Sequence, residues 1–94
     1  MASKGHHFRI TVMAADTPAA LSFDHVNHDD IIAIAGRVCA GSGLDPDITA
    51  ATAIGLKLLG EAMLRSTRDP LFDPLRGPLR DFTLALKQRT ATPD

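Results

Sequence analysis

Two alternating runs near the start of the chain, FRITVM (8–13) and LSFDHV (21–26), fit one another in a single register. In the first, Phe8, Ile10 and Val12 share one side and Arg9, Thr11 and Met13 the other, the period-two pattern of a half-buried strand. In the second, Leu21, Phe23 and His25 oppose Ser22, Asp24 and Val26. Asp16, Thr17 and Pro18 supply turn chemistry between them. Folding about that turn sets Val12 against Leu21, Ile10 against Phe23 and Arg9 against Asp24. Apolar then meets apolar on one face and opposite charges meet on the other. Strands are expected over about 7–13 and 20–26.

The next segment, HVNHDDII (25–32), reads as a helix start. Asn27 is expected as the N-cap, with Asp30 reaching back as its reciprocal partner and Val26 meeting Ile31 as a hydrophobic staple. His28 alone has no duty in that scheme. The helix is expected over about 28–40, with Ile31, Ile34, Ala35, Val38 and Cys39 as its inner stripe. Gly41 is expected to close it in the left-handed conformation. Asp45-Pro46 then announces a second helix over about 46–66, a cap followed by proline at the first position. Its broad apolar arc contains Ile48, Ala51, Thr52, Gly55, Leu58, Leu59 and Ala62, flanked by Leu56 and Met63. Ala53, Lys57, Glu61 and Arg65 lie opposite, and Gly55 is read as a point of close backbone approach. Three prolines, Pro70, Pro74 and Pro78, punctuate the C-terminal segment. Asp73-Pro74 is expected to cap a third helix over about 74–89, bent at Gly77-Pro78, on a face formed by Phe72, Leu75, Leu79, Phe82 and Leu86.

Together these elements define an α+β fold: an N-terminal antiparallel β-hairpin followed by three α-helices packed against one of its faces. The 94 residues form a single domain (1–94), ordered over about 6–89. KGHHFRITV, NHDDIIAI, GLKLLGEAML, DPLFDPL and DFTLALK resemble a small uncharacterised bacterial family, domain of unknown function 3861, over about residues 4–87. The resemblance implies a stand-alone small bacterial protein and carries no activity, cofactor or catalytic residue with it.

Composition narrows the function classes. Ten basic against eleven acidic side chains, a net charge of −1, argue against a protein organised around nucleic-acid phosphates. Four Phe with no Trp or Tyr remove stacking platforms for single strands. The basic residues Arg65, Arg68, Arg76, Arg80, Lys87 and Arg89 are balanced by Asp69, Asp73 and Asp81. The single Cys39 cannot form an intramolecular disulfide and reads as a buried hydrophobe. No stretch has the length of a membrane span and no signal segment is apparent, so a cytoplasmic location is expected.

Candidate chemistry is sparse. Glu61, the one glutamate, is expected on the solvated side of its helix. The serines lie in no nucleophile-elbow context, and Gly41-Ser42-Gly43 is a helix exit and not a phosphate loop. No catalytic residue and no cofactor are expected. His6, His25 and His28, with Asp29 nearby, form a weak candidate metal set for Zn²⁺ or Ni²⁺, the alternative being a metal- or small-ligand-binding protein. The leading expectation is a non-enzymatic interaction module, a homodimer or a binder of an unidentified protein. Its surface would be an open strand edge or the apolar residues Ile54, Leu64 and Leu84.

Overall fold

The structure, a computed structural model, describes residues 5–90. The order is β1 (His6–Met13), β2 (Ala20–Asn27), α1 (Ile31–Gly41), α2 (Pro46–Arg65), a 3-10 turn (Pro70–Phe72) and α3 (Asp73–Thr90). The strands pair antiparallel with Val12 opposite Leu21, Ile10 opposite Phe23, Arg9 opposite Asp24 and His6 opposite Asn27, the register that the two faces demanded. On the polar face Arg9 Nη1 lies 3.3 Å from Asp24 Oδ1, and the Thr11 and Ser22 hydroxyls are 2.9 Å apart.

The helices pack on one another and not, as expected, all against one hairpin face. The hairpin meets them chiefly where β2 touches α2. The three-residue link between β2 and α1 ties down only the base of the ribbon. Asn27 there is wholly buried, whereas Val12 and Leu21, farther out, are 61% and 64% exposed. The outer half of the hairpin stands clear as an arm.

Helix boundaries correct several sequence expectations. Asn27 is not the cap of α1, because it completes the strand ladder. Asp30 caps the helix instead, its Oδ1 accepting from the amides of Ile32 (3.2 Å) and Ala33 (3.3 Å). A carboxylate there also meets the positive end of the helix dipole. At the other end Gly41 remains helical and the left-handed residue is Gly43, at φ +77°. Gly41 serves close approach: a Cβ there would lie 2.9 Å from the Thr90 carbonyl oxygen, where the end of α3 crosses α1. Asp45 caps α2, with Oδ2 accepting from Asp47 (3.0 Å) and Ile48 (3.4 Å) and Pro46 following. Asp73 is the first residue of α3, with helical φ −55° and ψ −45°, and not its cap. The cap belongs to Asp69, which accepts from Leu71 at 2.9 Å. The 3-10 turn already points the backbone in the helical direction, so α3 propagates through Asp73 without a new start and contains Pro78.

The core is small. Ile31, Val38, Ala53 and Met63 are its buried apolar members, joined by buried Asn27, Ser42, Thr49 and Glu61. The Ser42 and Thr49 hydroxyls lie 3.1 Å apart, and Thr49 also donates to the Asp45 carbonyl at 2.8 Å, fastening the exit of α1 to the entry of α2.

Candidate functional site

A polar clasp joins the base of the hairpin to α2, and it explains the roles of His28 and Glu61. Glu61, expected in solvent, is buried. Its Oε1 accepts from His28 Nδ1 (2.9 Å) and from the His28 amide (3.3 Å), while Oε2 lies 3.3 Å from Arg65 Nε. Arg65 Nη2 also donates to the Val26 carbonyl at 3.2 Å. Lys57 Nζ lies 2.9 Å from Asp29 Oδ2, and His28 Nε2 lies 3.4 Å from the same oxygen.

Asn27 sits behind these ion pairs. Its amide nitrogen donates to the Lys57 carbonyl (3.2 Å) and to His25 Nε2 (3.0 Å), and its oxygen accepts from the Asp29 amide (3.1 Å). One side chain therefore links β2, the approach to α1, and α2. Hydrogen bonding from His28, opposed by burial and helped by Arg65, holds the Glu61 carboxyl below its ordinary range. The Lys57 hydrogen bond does the same for Asp29, again against burial. Two carboxylates that stay ionised, one beside Arg65 and the other beside Lys57, are suited to holding elements together and poorly suited to taking up a proton at neutral pH. A cavity of about 120 Å³ opens beside His28, between α2 and α3. The Thr83 hydroxyl on its wall is already committed to the Leu79 carbonyl at 2.8 Å. Among the described residues no buried side-chain nitrogen or oxygen lacks a hydrogen-bond partner.

The three candidate metal histidines go to separate partners. His6 stacks beside Phe8, with ring centroids 6.5 Å apart; His25 meets Asn27; His28 meets Glu61 and Asp29. Among the described residues no group of three His, Cys, Asp or Glu side chains is placed to hold a metal ion. Cys39 is half-buried, with Sγ 3.7 Å from the Pro46 carbonyl.

The clasp also fixes which side of α2 faces inward. Glu61 is drawn to His28, Lys57 to Asn27 and Asp29, and Thr49 to Ser42, so the side bearing Thr49, Ala53 and Glu61 faces inward. The arc that the sequence marks for burial turns partly outward: Ile48 is 57% and Leu59 37% exposed, with Ala51, Gly55 and Ala62 exposed, while Thr52 and Leu58 are half-buried and the flanking Met63 is buried. A Cβ added at Gly55 would meet nothing within 4 Å. Of the apolar residues expected from sequence to form a surface, Leu64 and Leu84 are exposed and Ile54 is half-buried.

The fold and these residues define a small ββααα domain whose buried polar groups brace the architecture while an apolar helix face and a ribbon arm lie open. The chain belongs to the family described as "Domain of Unknown Function with solved-structure structure", DUF3861, which matches residues 6–88. It is similar to a protein of unknown function from Pectobacterium atrosepticum SCRI1043, seen in a crystal structure. The two are 35% identical, with a TM-score of 0.80, over 89% of this chain and 98% of that one. No curated protein matches. Among the described residues no helix is long and apolar enough to cross a membrane.

Proposed function

We propose that the protein is a non-enzymatic interaction module that works as a homodimer. The observation that carries this is the outward-facing apolar side of α2. Its sequence has the pattern of a buried face, yet the described residues cover it only in part, leaving Ile48, Ala51, Gly55, Leu59 and Ala62 exposed. The area agrees. The chain exposes 6944 Å², where a folded monomer of its 10.0 kDa mass would expose about 5,200 Å². Its radius of gyration is 14.9 Å, against about 12.4 Å for a compact domain of this length. The larger exposed area and radius reflect an open shape with the hairpin arm standing clear, and an open shape leaves surface for a second copy to cover. A pairing that removes this surface would give the fold the large core that four buried apolar side chains do not provide.

The test is the solution mass of wild-type protein by light scattering and sedimentation equilibrium over a wide concentration range. The expected result is twice the 10.0 kDa chain mass down to low micromolar concentration. A mass equal to one chain at every concentration overturns the proposal.

A further inference from the structure

We infer that the cavity between α1, α2 and α3 binds a small organic carboxylate, with its apolar body held among the helices and its anionic head at the mouth. The inference goes beyond the homodimer reading and does not depend on it.

The cavity has a volume of about 260 Å³ and is bounded by all three helices. Its apolar lining comes from Ile34 and Val38 of α1, Ala53 and Leu56 of α2, and Leu86 of α3. α3 rests on the other helices without burying any side chain of its own, and the space beneath it stays unfilled. An apolar cavity of about 150 Å³ holds benzene, so one of this size accepts about ten non-hydrogen atoms. That is a short aliphatic chain or a single ring, with a small head group.

The charges on the same cavity select the head. Arg37, Lys57 and Lys87 line it, against one carboxylate, Asp29. Lys57 and Asp29 satisfy one another at 2.9 Å. Arg37 and Lys87 are exposed, and among the described residues neither lies within ion-pair distance of a carboxylate. Lys87 acts on Asp29 only at a distance, through its field. The Thr83 and Thr90 hydroxyls donate to the Leu79 and Leu86 carbonyls, at 2.8 and 3.0 Å, and so offer a ligand only acceptor lone pairs. The donors left over are therefore cationic, and the rest of the lining is apolar. An ammonium head is repelled there, and a neutral apolar molecule leaves both cations unanswered. A carboxylate can accept two N–H bonds from the guanidinium fork of Arg37 while Lys87 adds a second positive charge. Asp29 on the same wall disfavours a doubly charged head.

The probe is sodium octanoate, which has the size of the cavity, titrated into nitrogen-15-labelled full-length protein at pH 7 and constant ionic strength. Octanoate should bind with a Kd below about 1 mM, read from amide shifts in two-dimensional NMR. Its methyl group should give nuclear Overhauser effects to Ile34 and Leu86. Octanol and octylammonium, with the same tail, should bind about tenfold more weakly or worse. Arg37→Gln and Lys87→Gln should each weaken octanoate about fivefold and leave octanol unchanged, a split that a merely structural role does not produce. Both positions are exposed, and circular dichroism checks folding; if one variant does not fold, the other carries the test. Four results overturn the site: no octanoate binding at about 5 mM, octanol or octylammonium binding as tightly, Overhauser effects to exposed Leu64 or Phe82 in place of the cavity, or unchanged octanoate affinity in a folded variant. One chain holds the whole site, so a monomeric wild type leaves it standing, and its failure leaves the homodimer reading standing.

Discussion

Asn27 offers a clean separation between two physical roles for one side chain. As a helix cap, Asn27→Ala would cost about 1 kcal/mol, and Asn27→Asp would be nearly neutral because Asp caps as well as Asn. In the structure Asn27 is wholly buried and makes three hydrogen bonds, to Lys57, His25 and Asp29. At about 1 kcal/mol each, their loss in Asn27→Ala should cost about 3 kcal/mol. Asn27→Asp should do at least as much harm at pH 7. A carboxylate can still accept from the Asp29 amide, but it cannot donate to the Lys57 carbonyl, and it places an unpaired charge in the core beside Asp29. Removing one side of a buried polar arrangement in this way costs about 3–5 kcal/mol.

The pH dependence adds a second signature. Burial pushes the introduced carboxyl above its unfolded value of about 4, so the penalty of Asn27→Asp should be small below that pH and grow as pH rises through it. The assay is urea unfolding followed by circular dichroism at pH 4 and pH 7. Protein concentration must be held fixed, because association couples to stability. An Asn27→Asp variant within about 0.5 kcal/mol of wild type at pH 7 would refute the buried role and restore the capping one.

Glu61 titrates in the opposite sense. Its folded carboxyl is held below its ordinary 4.5, so its contribution is present above that pH and lost as pH falls through the depressed folded value. Glu61→Gln should cost about 1–2 kcal/mol at pH 7, modest because His28 and Arg65 are more than half exposed and regain water. It should also flatten the acid side of the stability profile, and an unchanged acid limb in urea titrations would count against the clasp. Gly41→Ala gains helix propensity of about 1 kcal/mol but forces the Thr90 backbone away, so a net loss of about 1–2 kcal/mol is expected. A higher Tm in that variant would show that α1 and α3 cross loosely enough to admit a methyl group.

Much of the fold was legible because its signals are local. The hairpin register follows from side-chain alternation over a few residues, where a single slip would mismatch both faces. The Asp45-Pro46 start and the inner stripe of α1 likewise depend on neighbours in sequence. The clasp was not legible. Its only traces were a histidine without a duty in NHDDI and a lone glutamate four residues before Arg65. His28 and Glu61 are 33 residues apart, and no local rule pairs them. Asn27 was misread for a related reason: Asn suits both a helix cap and a buried crosslink, and the choice depends on where Lys57 lies.

By itself the sequence determined which residues want to be out of water, including the arc of α2 from Ile48 to Ala62, because burial preference is a property of each side chain and its helical period. Only the tertiary structure decided which of those wishes the chain satisfies alone. The rotation of α2 is set by a few long-range polar contacts that must be paired wherever they are buried. Meeting that requirement turns part of the helix's apolar arc outward, and a second copy is the partner proposed to cover it.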